Sequence, residues 1–474
     1  MNNYHQETIY QRNAMLGHAL DWSNQPLTFK TYKKRAPVPL PLATVCNAGF
    51  FDLSLHWPPR PKKAIVPQAD QVSAVVRLGA GITSPRWEDD LLLGLRAYAS
   101  AGALYPCELY VIVSDVQDMD DGLYHFTPLG PAWHLLWKEK LDNVAAKALG
   151  SRPSRLTFFI TSLFWRSLWK YNTRGYRYCL LDGGHMLANL ELALAGFGLL
   201  PKTTINFADN SVSALLGLAN LDEAPLVAVQ AGGAPSQIGA PDIDLPPLDL
   251  QYEPLSRRIG RDNTVLQAHM SANLLKPAPE PLWFGPKLEA GQEIIPLPPA
   301  REYAGQSVEQ VIHKRRSQRE FSQRGLTAAK LGLLLQTTLP ANSPVMASVV
   351  LGAGNEIAAG TYLYLPDRHA LLARNIGQDW RRIVADASLG QSFMAKAQAL
   401  VVLWADLDML EEQASIRSYR HAMLAAGRAG QRCYLACTAL NLHCCGVGAF
   451  YDDDLAAING MPQRAAPLYV LACG

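Results

Sequence analysis

Apolar and polar residues follow two patterns along this chain, which predict strands and helices. Short runs rich in aromatic and β-branched residues, such as Glu108–Val113 and Phe158–Ile160, predict strands. Two longer segments, about 178–194 and 418–440, carry apolar or small residues at helical spacing, with glycines inside each. A glycine inside a helix costs about 1 kcal/mol relative to alanine and is typical of close backbone approach. We therefore expect these two helices to pack on each other across a pseudo-twofold axis; packing of each helix on its own sheet alone is the alternative.

The order of these elements occurs twice along the chain. Ala224–Val229 matches Ala466–Leu471, and the segment that ends at Phe207 matches the one that ends at Phe450, at an offset of 243 (450 − 207). Two upstream strand-like segments recur in the same order. Ordered matches at a nearly constant offset indicate a tandem duplication. The sequence predicts two tandem α/β (α+β) domains, each a central sheet flanked by helices, that form an internal pseudo-dimer.

The segments outside the two copies differ in composition. Residues 1–60 form an aperiodic arm that contains several prolines, and residues 233–300 are rich in proline and polar residues. We expect residues 233–300 to be an extended linker over the surface, with Trp283 and Phe284 docked. The predicted organisation is an arm over 1–60, a first domain over 61–232, the linker over 233–300 and a second domain over 301–474.

Composition narrows the classes of function. The chain has 474 residues and a formal net charge of +2, so no strong field for nucleic acid or an acidic membrane surface follows. The first residues lack the features of a signal peptide, and no apolar run reaches membrane-spanning length. The eight cysteines form no CxxC pair, and no second ligand pair lies at a zinc-site spacing. We expect a cytoplasmic protein with reduced core thiols and no metal site.

The loop Ser100–Pro106, which precedes the strand Glu108–Val113, is one candidate for chemistry. Gly102 relaxes the backbone restriction, and the flanking alanines keep the bulk low. Such a loop lets backbone approach a flat ligand. An ordinary small-residue turn is the alternative, and the loop alone favours it.

A basic segment at the start of the second copy is another candidate. Arg315 and Arg319 lie four residues apart on one face of a predicted helix, with the Ser317 hydroxyl between them. This set can hold a phosphate dianion through charge-assisted hydrogen bonds. A solvated basic helix start is the commoner meaning of a Lys-Arg-Arg run, and it remains the alternative.

Together these motifs resemble the FMN-dependent nitroreductase superfamily, and within it the SagB-type dehydrogenases. Those flavin oxidases convert thiazolines and oxazolines into azoles in modified ribosomal peptides. The resemblance covers nearly all of residues 4–474. It rests on four segments: Arg315–Phe321, Ser100–Pro106, the late Gly-x-Gly-Ala-Phe of Gly446–Phe450, and Trp169–Asn189 with its Lys-Tyr, Arg-Gly-Tyr-Arg and Asp-x-Gly-His.

Two departures from the family pattern matter. Asn172-Thr173 stands where the family commonly has Gly-Asp, and the two flavin motifs lie in different copies. Homodimers of the superfamily bind FMN at the subunit interface, so the resemblance implies one FMN per chain, between the copies. The mirror position, near 57–61 and 340–344, lacks both motifs and is expected to bind no flavin.

The resemblance also implies a role for each site residue. Arg315, Ser317 and Arg319 would hold phosphate and ribityl. Ser100, Gly102, Ala103 and Tyr105 would line the ring from the first domain. Gly448 and Ala449 would place a backbone N–H near the reactive flavin nitrogen.

Azoline oxidation also needs a base, and by resemblance Lys170 and Tyr171 are the candidates. An exposed helix-end lysine and a packing tyrosine are the alternative. We expect His185 to be structural, and Asp182 to pair locally with Arg174 or Arg177.

The leading expectation is an FMN-dependent dehydrogenase of azoline rings in a ribosomal peptide or a related natural product. A cyclodehydratase is the partner that such chemistry implies. Two alternatives stay open: an NAD(P)H-dependent reductase of nitroaromatics or quinones, and a non-catalytic scaffold subunit of a biosynthetic complex with a degenerate flavin site.

Overall fold

The computed structural model describes residues 2–14, 17, 19–59, 65–88, 91–218, 221–240, 248, 250–283, 293–300, 305–322, 324–340, 342–415, 417–458 and 465–474. The predicted domain boundaries at 60/61 and 300/301 touch residues outside this set, and so does the predicted docking of Phe284. Within the described residues, no helix combines the length and the apolar character that crossing a membrane requires.

The described residues of the first half form nine strands, two of which make a separate hairpin. They are β1 (Val38–Pro39), β2 (Ile82–Glu88), β3 (Leu91–Arg96), β4 (Cys107–Val113), β5 (Gly122–Thr127), β6 (Ala132–Trp137), β7 (Leu156–Leu163), β8 (Lys202–Thr204) and β9 (Glu223–Ala231). The hairpin is β2-β3, and the other seven form one antiparallel sheet in the order β1-β6-β5-β4-β7-β9-β8.

The second half repeats this sheet. Its strands are β10 (Ile294–Pro296), β11 (Met346–Leu351), β12 (Gly360–Leu365), β13 (Ala370–Ile376), β14 (Ala399–Asp406), β15 (Cys444–Val447) and β16 (Ala465–Cys473). Their order, β10-β13-β12-β11-β14-β16-β15, matches that of the first sheet strand for strand. The predicted duplication of a sheet-and-helix domain is therefore confirmed.

Helices cover both sheets. They are α1 (Asn2–Glu7), α2 (Phe50–Leu55), α3 (Ala69–Ala80), α4 (Asp142–Leu149), α5 (Phe164–Tyr171), α6 (Gly175–Gly196), α7 (Asp209–Leu215), α8 (Asn263–Ser271), α9 (Val308–Lys314), α10 (Ala328–Thr338), α11 (Arg381–Ala387), α12 (Leu407–Gln413), α13 (Ser418–Ala439) and α14 (Asp452–Ile458). Short 3-10 turns lie at Trp22–Asn24, Ala101–Ala103, Asn172–Arg174, Pro366–Arg368 and Ser392–Lys396.

The two central helices, α6 and α13, pack on each other between the sheets, as their glycines predict. Each has 22 residues. A Cβ on Gly184 would overlap the carbonyl oxygen of Leu424, and a Cβ on Gly427 would overlap that of Leu181. Only glycine lets the two backbones approach this closely, which explains why the sequence accepts the helix-propensity cost. The domains thus meet as an internal pseudo-dimer.

The arm and the linker are more structured than their composition predicts. The arm carries α1, α2 and the edge strand β1, while the linker carries α8 and the edge strand β10. Trp283 is docked, with 8% of its surface exposed. The expectation of a wholly extended linker is wrong, because Asp262 accepts a hydrogen bond from the Val265 N–H and so starts α8.

Candidate functional site

A cavity of about 200 Å³ lies between the two domains, beside α6. Its walls come from both copies: the loop at Ser100–Gly102, Tyr171 and part of α6 from the first, and Ser317, Arg319 and the segment 445–449 from the second. We call the loop Ser100–Gly102 and the segment from Ser317 to Arg319 the two half-motifs. They are more than 200 residues apart in sequence, and the tertiary structure brings them to one site. Each domain alone holds only one half.

The loop from the first domain has an unusual backbone. Gly102, Ala103 and Tyr105 have φ angles of 64°, 55° and 46°. A left-handed conformation at a non-glycine residue costs of order 1–3 kcal/mol. The Ser100 hydroxyl stabilises the turn by accepting the Tyr105 N–H at 2.9 Å. Ser100 and Gly102 line the cavity, whereas Ala103 and Tyr105 do not.

The basic segment of the second domain is extended rather than helical. Helix α9 ends at Lys314, and Arg315 has φ −54° and ψ 127°. The Gln318 N–H donates to the Cys444 carbonyl at 2.9 Å, so the segment around Gln318 lies beside the start of β15. The predicted helical face for Arg315 and Arg319 is thus wrong.

The three predicted phosphate ligands differ in position. Ser317 and Arg319 line the cavity and are exposed at its mouth. Arg315 is buried behind the wall, where its guanidinium donates to the Ala97 and Arg96 carbonyls at 3.0 and 3.1 Å. Arg315 therefore ties the second domain to the strand before the loop.

The backbone at Gly448 and Ala449 also borders the cavity. The Gly448 carbonyl accepts from Arg174 and from the Tyr178 hydroxyl, each at 3.2 Å. Within the described part of the chain, neither the Gly448 N–H nor the Ala449 N–H donates a hydrogen bond. Two free donors at a cavity wall suit an acceptor atom of a ligand.

Lys170 and Tyr171, at the end of α5, lie against the loop. A Cβ on Gly102 would be 2.7 Å from the Tyr171 hydroxyl and 3.1 Å from the Lys170 Nζ. Tyr171 lines the cavity and packs edge-on against Tyr178. Burial raises the pKa of Tyr171 above its ordinary value, so its phenol stays protonated near neutral pH.

Asp182 occupies a different place from the one expected. Its carboxylate accepts hydrogen bonds from the Ser100 hydroxyl and, at 3.2 Å, from the Ala101 N–H. It is buried in the cavity wall, and burial raises its pKa to about 7. The predicted local pairing with Arg174 or Arg177 is wrong, because both arginines bind Asp452 of the second domain instead.

Arg174 and Arg177 bind Asp452 of the second domain. Their Nη1 atoms lie 2.8 and 2.7 Å from its two carboxylate oxygens, and all three side chains are buried. The symmetry-related set, Arg417 and Arg420 with Asp209, forms the same arrangement in reverse. The Arg-Gly-Tyr-Arg motif therefore serves the domain interface.

His185 is a core residue, as expected. Its Nδ1 lies 2.8 Å from the Gln431 side-chain oxygen and its Nε2 lies 3.2 Å from the Tyr469 hydroxyl. Burial lowers the pKa of His185 to about 4, so the ring is neutral. It links α6 to the second domain.

Several lining residues escaped the sequence analysis. Tyr178 and Asp182 lay within a quoted motif and could have been found there. Ala101, Leu181, Gly446 and Val447 likewise lay within quoted segments, whereas no signal marked Ala99, Gln391, Tyr434, Cys445 and Tyr469.

Four buried cysteines meet behind the cavity wall, namely Cys433, Cys437, Cys444 and Cys473. Their sulfur atoms all lie within 4.8 Å of one another. Spacing argued against such a cluster, but β15 and β16 bring Cys444 and Cys473 together as register partners beside α13. No second ligand pair lies at a zinc-site spacing in the sequence, and the fourth sulfur reaches the cluster only through the pairing of β15 with β16.

Comparisons with known proteins agree with this architecture. The model of the Nitroreductase family matches residues 63–233 and 312–474, once in each copy. A solved structure of a protein from Anabaena variabilis, described as a putative nitroreductase, superposes with a TM-score of 0.78 at 24% identity. That match covers 100% of this chain and 98% of the other, and it shows the fold.

Three curated relatives match parts of the chain. A Methanocaldococcus jannaschii protein, also described as a putative nitroreductase, is 28% identical over 194 residues, 38% of this chain and 95% of its own. Microcin B17-processing protein McbC of Escherichia coli is 28% identical, over 28% of this chain and 52% of its own. Trifolitoxin-processing protein TfxB of Rhizobium leguminosarum is 31% identical, over 26% of this chain and 35% of its own.

The match to the last two relatives thus spans about half of McbC and about a third of TfxB. The family match, in contrast, spans both halves of the chain and coincides with the two sheets. The chain is accordingly a member of the nitroreductase family of oxidoreductases, with two nitroreductase domains in tandem.

Proposed function

We propose that this chain is an FMN-dependent dehydrogenase that oxidises azoline rings to azoles in a ribosomal peptide or a related natural product. One observation carries the proposal: the interface cavity joins the Ser100–Gly102 loop of one copy to Ser317 and Arg319 of the other. One FMN per chain is the stoichiometry that this arrangement supports.

The residues present fit FMN. Ser317 and Arg319 are exposed at the mouth and offer the hydroxyl and guanidinium donors that suit a phosphate. The free N–H groups of Gly448 and Ala449 suit an acceptor on the ring edge. Gly102 leaves room where a side chain would meet Tyr171. When bound, FMN supplies the two-electron acceptor for hydride.

The chain's own contribution to the reaction is proton transfer and orientation. Loss of a hydride from an azoline must be accompanied by loss of a carbon-bound proton, which needs a base. Lys170, when unprotonated, would accept this proton, and the protonated Tyr171 phenol beside it would donate a hydrogen bond to the substrate. Asp182 positions the loop through Ser100 and Ala101.

The peptide substrate and a cyclodehydratase partner belong to the same proposal. McbC and TfxB are named for processing microcin B17 and trifolitoxin, and both match this chain over part of its length. We propose a substrate of the same chemical class, an azoline-bearing peptide, delivered by a ring-forming enzyme.

An NAD(P)H-dependent reductase of nitroaromatics or quinones is the second candidate. It is supported by the match that covers 95% of the archaeal relative described as a putative nitroreductase. Anaerobic mixing with NADPH separates the two: rapid bleaching of the flavin would favour the reductase, and bleaching by an azoline peptide but not by NADPH would favour the dehydrogenase.

The experiment that tests the cofactor proposal is the visible absorption spectrum of the purified chain, with the released flavin identified and quantified. We expect a yellow protein that releases one FMN per chain. Two FMN per chain would contradict the single composite site. A colourless chain that takes up no added FMN would mean that the half-motifs form no flavin site, and the scaffold alternative would then lead.

A further inference from the structure

A second cavity, of about 480 Å³, lies on the opposite side of the domain interface. It is bordered by Trp57 of the arm, Leu187 of the first copy, Trp283 of the linker, and Pro340, His421 and Arg432 of the second copy. We call it the mirror cavity, because it is the pseudo-twofold counterpart of the candidate flavin site.

The correspondence can be traced residue by residue. His421, Leu424 and Ala425 line the mirror cavity, and each lies 243 positions after a lining residue of the flavin site, Tyr178, Leu181 or Asp182 (421 − 178 = 243). Asn342 and Ser343 of the mirror cavity precede β11, as the Ser100–Pro106 loop of the flavin site precedes β4. Duplication thus produced two cavities, and only one has the flavin motifs.

The mirror cavity holds a cation at a position where the first copy has a neutral side chain. Arg432 is 1% exposed, and none of its three guanidinium nitrogens has a hydrogen-bond partner among the residues that the structure describes. Its guanidinium lies over the Trp57 ring, 4.5 Å from the centroid. The equivalent position in the first copy is Asn189 (432 − 243 = 189), which donates to the Leu78 carbonyl.

The charged groups around Arg432 do not neutralise it. Arg428 also borders the cavity, but it is paired with Glu191, with 2.7 Å between Nε and the carboxylate. Glu280 at the far wall accepts the Ile205 and Asn206 N–H groups at 2.6 and 2.9 Å. Burial and the neighbouring Arg428 lower the pKa of Arg432 to about 9, and Glu191, which is paired with Arg428, only partly opposes them, so at neutral pH Arg432 remains a buried cation. Because a buried charge without a counter-charge is costly, an anion bound beside this guanidinium would be stabilised.

We propose that the mirror cavity binds a small planar anion, with its carboxylate or phosphate on Arg432 and its ring against Trp57 and Pro340. A planar body suits the indole and proline walls, and a guanidinium suits a planar, bidentate anion. The site is separate from the flavin site, and the proposal does not rest on the proposed function.

The test is calorimetric titration of the full chain, with whatever flavin it holds, using benzoate, phenyl phosphate and the neutral benzamide. We expect one site per chain for benzoate, phenyl phosphate or both, and at least tenfold weaker binding of benzamide. The better anion identifies the ligand as a carboxylate or a phosphate. Absence of binding, equal affinity for benzamide, or release of flavin by the anion would overturn the proposal.

Variants localise the site. We expect Arg432→Met to weaken anion binding at least tenfold, and the exposed Arg382→Met to leave it unchanged. Unchanged anion affinity in folded Arg432→Met protein would overturn the proposal. If Arg432→Met fails to fold, the difference in affinity between benzoate and benzamide on the unaltered chain still tests the proposal. Quenching of tryptophan fluorescence by the bound ring then locates the ligand, since Trp57 and Trp283 both border the cavity.

Discussion

Gly184 of α6 and Gly427 of α13 face each other across the pseudo-twofold axis. They are 243 positions apart (427 − 184), the offset of the duplication, and a Cβ on Gly184 would lie 2.9 Å from the Gly427 Cα. Each glycine is therefore the symmetry mate of the other, and the backbones of α6 and α13 approach each other closely at this pair.

This contact predicts that Gly184→Ala destabilises the protein. The new methyl group would overlap the Leu424 carbonyl oxygen, which is backbone and cannot rotate away. We expect a loss of roughly 1–3 kcal/mol from overpacking, despite the better helix propensity of alanine. Denaturant unfolding measures it. Gly79→Ala in α3 is the matched control, because its Cβ would make contacts no closer than 3.6 Å; equal stability of the two variants would contradict the argument.

Arg174 and Arg177 hold Asp452 between them, and we call this set the arginine clamp. It predicts that Asp452→Asn loosens the domain interface. Removing this charge leaves Arg174 and Arg177 buried without their carboxylate, which costs about 3–5 kcal/mol for a buried pair. Thermal unfolding gives the loss. Asp454→Asn serves as control, since its ion pair with Arg12 is exposed to solvent and contributes little to stability. Similar midpoints for both variants would refute the role of the clamp.

The position of Lys170 beside the loop predicts a variant that separates binding from turnover. We expect Lys170→Ala to retain its flavin and to lose azoline oxidation by a factor of about 10²–10⁴, the usual contribution of a general base. Flavin content is read from absorbance and turnover from product formation. Lys138→Ala is the control, because Lys138 is exposed and remote from the cavity. Full turnover of Lys170→Ala would show that another group takes the proton.

Asp182 predicts a pH dependence of stability. Its folded pKa of about 7 lies above the usual 3.8, so between these values the folded chain binds more protons than the unfolded chain. Protonated Asp182 contributes about 4 kcal/mol to the free energy of unfolding. This contribution is fully present below about pH 4 and is lost as the pH rises through 7. Unfolding curves over this range measure the slope. Asp182→Asn removes the titrating group, so an unchanged slope in this variant would contradict the assignment.

The four-cysteine cluster predicts a metal-free set of thiols. A Zn²⁺ tetrathiolate carries two negative charges, and the groups that shift the pKa values of Cys433, Cys437 and Cys473 include no lysine or arginine, while Arg315 acts only on Cys444. We expect eight titratable thiols after denaturation and less than stoichiometric metal in the purified chain. One zinc per chain, lost in Cys473→Ser and kept in Cys445→Ser, would reverse this conclusion.

The sequence by itself determined the duplication, the two glycine-bearing helices and the separation of the flavin half-motifs between copies. These are properties of periodicity and of offsets, which local residue order records. The partner of Asp182, the extended course of Arg315–Phe321 and the meeting of four cysteines were decided by the tertiary structure, because they join segments far apart in the chain. The buried Arg432 belongs to the same class: the sequence shows an arginine in a helix, and only the packing of the two copies shows that its guanidinium has no hydrogen-bond partner among the described residues.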